Sequence, residues 1–191
     1  MKRQALETYR VKIRGIRPLL MNSPQSMLEE ANKQKKRAGE KPDPETEAKS
    51  KLYKNPKTGE IAVPSYVVKA CITEASKDYK VPGRGKKTFK DFVRAGLVVE
   101  PEWIPLKHNG WEIDLRPVVV QRSRIIRARP RFDEWELEFN VHIVDPIITG
   151  DYLKEFLETA GKYRGLLDFR PEYGLFEVVE FERIKTEENK S

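Results

Sequence analysis

The sequence predicts an α+β domain, and three observations carry that prediction. A strand with strict alternation opens the 191-residue chain, and another closes it. Two amphipathic helices follow the opening strand and precede the closing one. Between the helices lies a block of strand-like segments punctuated by proline and glycine.

The first strand lies within residues 8–20, "TYRVKIRGIRPLL", where Tyr9, Val11 and Ile13 alternate with Arg10, Lys12 and Arg14. That is a half-buried strand with one basic face, ended by Gly15 and Pro18. Residues 22–59 are almost all charge, broken by Gly39, Pro42, Pro44 and Pro56. They hold too few apolar residues for a core of their own. They are expected to form a mobile insertion with short helices near 25–38 and 44–54.

A helix is expected from Pro64, with Ser65 as its cap. Val67, Cys71, Ala75 and Tyr79 recur at four-residue spacing as its buried stripe. "VPGRGKKTFKDFVRAG" reads as a flexible basic loop followed by a short helical segment. Strands come next in "LVVEPEWIPL", "WEIDLRPVVVQRSRII" and "DEWELEFNVHIVD", the last with Trp135, Leu137, Phe139, Val141 and Ile143 on one side. The second helix buries Leu153, Phe156, Leu157 and Ala160. Thr149 or Asp151 stands near its cap, and Gly161 is expected as a left-handed stop. "LFEVVEFERI" is the closing strand. The chain is one domain over residues 1–185, with a disordered end at 186–191. Helices on one face of a mainly antiparallel sheet make the ferredoxin-like, or RRM-like, arrangement the expected fold.

Lysine and arginine number 37 against 30 acidic residues, a net charge of +7. A basic excess of this size favours an anionic partner. The single cysteine, Cys71, forms no internal disulfide and no thiolate cluster. No window approaches the roughly 18 apolar residues of a membrane span, so a soluble, cytoplasmic protein is expected. Abundant Lys, Arg and Glu with scarce Gln and Cys is a thermophile signature. No set of His, Cys, Asp and Glu has metal-ligand spacing, and no cofactor is expected. "GRGKKT" lacks the four-residue gap of a nucleotide-binding loop and follows a helix rather than a buried strand.

Three sets of residues point to nucleic acid. Arg122, Arg124, Arg127, Arg129 and Arg131 fall within ten positions. In a regular strand the first two face one way and the last three the other. A single ridge therefore requires a bend near Ile125–Ile126, or a long hairpin that leaves the sheet. Planar guanidinium groups suit phosphate, while arginines on a solvated edge would block edge pairing. Arg84, Lys86 and Lys87 form a second basic cluster, with Lys80, Lys90 and Arg94 beside it. Phe169 and Tyr173, in the turn "DFRPEYG", are candidates for stacking on bases. Catalytic candidates are few: His108, His142 and the loop carboxylate Asp43.

Three stretches, in order, resemble the RAMP superfamily, the RNA-recognition-like proteins of CRISPR systems. "YRVKIRGIRPLLM" is similar to its first strand. "IAVPSYVVKACITEA" is similar to its Ile-Pro-Gly-Ser-Ser-hydrophobic-Lys-Gly helix start, with Val63, Pro64, Ser65 and Lys69 in matching places and the glycine after proline missing. "GKYRGLLDFRPEYGLFEV" is similar to its glycine-rich loop and closing strand, with Gly161, Gly165 and Gly174. The same ending also resembles proteins of phages and prophages.

The resemblance implies a ferredoxin-like core with an insertion after the first strand, and a subunit that polymerises along single-stranded nucleic acid. It implies backbone contacts from Arg14 and Arg17, Ser65 and Lys69, and Lys162, Arg164 and Arg170. It also implies, for RNA-cleaving members, an aspartate in the early loop, where Asp43 stands. The sequence reading is thus a single-stranded RNA- or DNA-binding protein that self-associates into a filament or multisubunit complex, with no enzymatic activity of its own. Its rivals are an endoribonuclease on the same fold and a phage structural protein with a basic surface.

Overall fold

The computed structural model describes residues 5–24, 43–120 and 122–184. The helix expected near 25–38 and the terminal segment 186–191 lie outside the described residues.

The main sheet contains β1 (Glu7–Gly15), β3 (Ala62–Pro64), β4 (Leu97–Glu100), β5 (Trp103–His108), β8 (Trp135–Ile143) and β9 (Phe176–Ile184). Its order is β3-β5-β8-β1-β9, every neighbouring pair is antiparallel, and β4 pairs with the distal end of β8. The helices α2 (Ser65–Ala75), α3 (Lys90–Gly96) and α4 (Gly150–Thr159) complete the core. β1, α2, β5, β8, α4 and β9 reproduce the βαββαβ order of the ferredoxin-like fold, with its first and third strands at the centre. The architecture is the α+β one the sequence predicts.

Alternation dictates the two faces. Val11 and Ile13 of β1, and Leu137, Phe139 and Val141 of β8, are buried against Val68, Cys71 and Ile72 of α2 and Leu153, Phe156 and Leu157 of α4. The odd parity of one strand meets the i, i+3, i+4 stripe of the other element. Thr149 caps α4, its Oγ1 accepting from the Tyr152 N–H at 3.4 Å. Ser65 is the first helical residue of α2 rather than its cap. Pro64 occupies the cap position, and no side chain closes that end.

Gly161 is not the left-handed stop. It sits in a π-helical turn, Ala160–Arg164, and a Cβ there would lie 2.2 Å from the Phe176 carbonyl oxygen. The stop comes at Gly165, with φ of +73°. Glycine at 161 serves close approach of β9, and glycine at 165 serves the backbone turn.

A second sheet stands apart, in the order β2-β7-β6, formed by β2 (Leu19–Leu20), β6 (Glu112–Val120) and β7 (Ser123–Phe132). Its hairpin β6–β7 is inserted between β5 and β8, while β2 follows β1. Helix α1 (Pro44–Ser50) packs against β7. Residues 43–59, expected to be mobile, are thus folded where described: Ala48, Leu52 and Tyr53 are buried. One small stripe suffices because the apolar surface it needs is supplied by the rest of the molecule.

Candidate nucleic-acid interface

β1 leaves the sheet at Gly15, where a Cβ would meet the Trp135 indole; the indole N–H instead donates to the Arg17 carbonyl at 2.9 Å. The chain then runs beside the glycine-rich loop. The Ile16 N–H donates to Leu175, the Gly174 N–H to Pro18 and the Asp168 N–H to Leu20. That loop also lies on α2, where the Cys71 thiol donates to the Gly165 carbonyl at 3.1 Å. Burial pushes this thiol up to about 12, with Arg170 and then Arg164 opposing the shift. Three segments distant in sequence therefore meet at the head of α2.

They enclose a cleft of about 250 Å³. Val67, Ala70 and Leu167 give it an apolar lining, Tyr53 and Tyr66 give it rings, and Asn22, Asp168 and Arg170 give it polar groups. The Tyr53 phenol is raised to about 12, by burial first and then by its hydrogen bond and proximity to Tyr66, with Asp168 adding to the shift. Tyr66 is 61% exposed. Lys69, one turn beyond it, is half-buried, has no ion-pair partner among the described residues, and titrates below the ordinary lysine value because burial disfavours its charge.

The cations divide into two classes. Arg17, Lys69, Lys162 and Arg170 have no carboxylate partner among the described residues, and neither do Lys80, Arg84, Lys86 and Lys87. The last four form a closed turn rather than a flexible loop. An antiparallel bridge joins Lys80 to Thr88, and the Val81 N–H donates to Lys87. Arg84 and Lys87 stand over the Phe92 ring at 5.2 and 4.9 Å. Lys162 stands over Tyr163, itself 54% exposed. Arg164 instead pairs with Asp78 at 2.5 Å.

The arginine segment resolves as a hairpin. β6 and β7 pair in unbroken register from Glu112↔Arg131 to Val120↔Ser123, so no bulge occurs at Ile125–Ile126. Arg122 lies in the connecting turn with φ of +67°, and the side chain of Arg124 lies outside the described residues. Arg127, Arg129 and Arg131 do share a face, but each has a carboxylate. Arg127 Nη1 reaches Glu47 at 3.1 Å, Arg129 Nε reaches Asp168 at 2.7 Å, and Arg131 Nε reaches Asp133 at 2.7 Å. Glu47, 7% exposed, also accepts from the Ala128 N–H at 3.3 Å, covering the edge of β7 beyond β2. Phe169 and Tyr173 lie on this face, Phe169 still 37% exposed and Tyr173 half-buried. Arg129 lies 4.8 Å above Phe169, and Arg116 lies 4.4 Å above Tyr173.

Among the described residues, the open face of β8, β1 and β9 is charged rather than aromatic. Arg14 pairs there with Glu136 at 2.9 Å and Glu177 at 3.9 Å, and Lys12 reaches Glu136 and Glu180. The charges alternate across β8, β1 and β9 and are internally satisfied. Arg14 is therefore not brought to the α2 cleft; Arg170 lines it, and Ser65 and Lys69 lie on the helix that supplies its Tyr66, Val67 and Ala70.

The catalytic candidates are engaged elsewhere. Asp43 caps α1, accepting from the Thr46 N–H at 3.2 Å. His108 accepts from the Gly110 N–H at 3.0 Å and meets the Phe132 ring edge. His142 bridges Thr8 and Glu100 at 2.9 and 3.1 Å. His108 lies opposite Trp135, so it is seven residues, about 24 Å, along β8 from His142. No group of three or more metal-binding side chains occurs among the described residues. No helix among them is long and apolar enough to cross a membrane.

The sequence reading missed Tyr66. Helical spacing does contain the signal, since position 66 falls opposite the Val68, Cys71, Ile72 and Ala75 stripe.

No family model and no curated protein matches the chain. Among solved structures, it is similar to a chain in the cryo-EM structure of the Type III-B Cmr-beta bound to cognate target RNA. The TM-score is 0.56 at 11% identity, over 93% of this chain and 60% of that one. The chain thus spans about three-fifths of that neighbour's length. The likeness establishes a shared fold.

Proposed function

We propose that the chain binds single-stranded nucleic acid across its helical face and self-associates along the strand, as a RAMP-type backbone subunit does. One observation carries the reading. The exit of β1, the head of α2 and the glycine-rich loop converge on a cleft lined by Arg170 and the exposed ring of Tyr66, with Lys69 on the same helix, and neither cation has a carboxylate partner among the described residues. Unpaired lysine and arginine hold phosphates by charge, and exposed rings accept bases of any kind. The structural neighbour was captured with target RNA, which supports the choice of a nucleic acid over an acidic protein.

Self-association rests on the hairpin. One face carries Leu115, Val119 and Ile126, which are 56%, 69% and 69% exposed. Exposed apolar side chains grouped on one face mark a contact surface. Pro117 on the edge strand β6 disfavours strand addition, so the face rather than the edge meets a second copy.

Binding of single-stranded RNA, single-stranded DNA and duplex across a salt series tests the reading, with the complexes sized in the same samples. Single strands should bind more tightly than duplex, with affinity falling as salt rises. Complexes should grow with strand length, and a Val119→Lys, Ile126→Lys variant should bind without that growth. Salt-independent affinity would remove the phosphate contacts from the account. The endoribonuclease reading finds no converging set of groups among the described residues.

A further inference from the structure

We propose that the α2 cleft admits one unstacked nucleobase and that its carboxylate makes guanine the preferred one; this rests on the single-strand reading above. At about 250 Å³ the cleft is below the roughly 300–1,000 Å³ of sites for whole drug-sized ligands. One ring system fits that space better than a complete nucleotide. Its lining matches a base in kind: aliphatic carbons from Val67, Ala70 and Leu167 below, and the tyrosine rings beside them.

The polar groups then select among bases. An ionised aspartate only accepts hydrogen bonds. Asp168 is held in place at two points: its backbone N–H donates to the Leu20 carbonyl, and its Oδ2 lies 2.7 Å from Arg129 Nε. Its Oδ1 makes no hydrogen bond to any described residue, and its charge is close enough to Tyr53 to raise that phenol. The Watson–Crick edge of guanine presents two adjacent N–H donors that converge on Oδ1, the oxygen open to a base because Oδ2 is buried against Arg129. Adenine and cytosine each present an amino donor beside a bare ring nitrogen. Uracil presents one N–H between two carbonyls, which a carboxylate repels. The ranking is therefore guanine first and uracil last. Asn22 offers both a donor and an acceptor to the remaining edge, and Arg170 at the mouth meets the adjoining phosphate.

The test is anisotropy with two labelled RNA 9-mers, one all uridine and one with a single central guanosine, and with GMP and UMP as competitors. The guanosine probe should bind roughly tenfold or more tightly, as for a good paired hydrogen-bond contact to a base. GMP should displace it at lower concentration than UMP. Asp168→Asn, checked for folding because Arg129 loses its ion pair, should bring the ratio toward one. The GMP–UMP comparison uses the unaltered protein, so it stands even where that variant fails to fold. A ratio near one in the unaltered protein overturns this inference alone. Absence of binding to both probes overturns it together with the single-strand reading.

Discussion

Replacing Arg84, Lys86 and Lys87 together by alanine separates the two classes of cation. All three are exposed and lack carboxylate partners among the described residues. On a single strand each neutralised phosphate contributes roughly 0.7 to the log–log salt slope, so the triple variant should lose about 2.1. Its affinity should fall about a hundredfold near 0.1 M salt, with the two curves converging toward 1 M. Losing the contacts of Arg84 and Lys87 with Phe92 costs about 0.5–1 kcal/mol each, so a modest fall in melting temperature should accompany the change. Anisotropy of a labelled strand across the salt range reads the slope directly. The companion variant, Arg127→Ala with Arg131→Ala, should leave the slope unchanged, because Glu47 and Asp133 already occupy those guanidinium groups. An unchanged slope in the triple variant, or a reduced one in the companion, would refute the division.

Four further outcomes are expected. Lys69→Met should weaken binding about fivefold near 0.1 M salt and yet raise the melting temperature at neutral pH. The folded state depresses the lysine's proton affinity, so this cost is present at neutral pH and vanishes as pH rises through the window below the ordinary lysine value of 10.5; a lower melting temperature at pH 7 would contradict it. Glu47→Ala leaves the Ala128 N–H and the Arg127 guanidinium unpaired, and denaturant unfolding should show a loss of about 1–3 kcal/mol. Tyr9 and Tyr53 are both raised to about 12, chiefly by burial. The stability they carry is complete below pH 10 and lost between pH 10 and 12, on the order of 2–3 kcal/mol each, readable as alkaline unfolding. Gly161→Ala forces a methyl group onto the Phe176 carbonyl and should cost about 1–3 kcal/mol in the same assay.

What could be read from the sequence was whatever repeats locally. The alternation of β1 and β8 was legible because burial on one face imposes a period of two, and α4 because its stripe and Thr149 cap lie within a few residues. The common face of Arg127, Arg129 and Arg131 was legible for the same reason. Their commitment was not: Glu47 is 80 residues from Arg127, and no local pattern records which carboxylate a fold will deliver. Gly161 failed similarly. It looks like a helix stop from its neighbours in sequence, but its reason for being glycine is the backbone of β9. The site at the head of α2 was half visible. Lys69 and Arg170 were named from the resemblance, while the cleft itself exists only once three distant segments meet.

The hairpin can also be considered as a mechanical part. β2 grips β7 at Arg131 and Phe132, and α1 grips it at Arg127 and Ala128. Beyond that clamp the strand pair projects to the turn at Arg122, five residues or about 17 Å further on. It is a cantilever, and a rotation of about 10° at its root moves the tip by about 3 Å at that span. The buried carboxylate of Glu47 thus acts at the point of greatest leverage. A change of one atom there, from oxygen to nitrogen in Glu47→Gln, should therefore be felt most at the tip, beside Val119, and least at Ile126, next to the clamp.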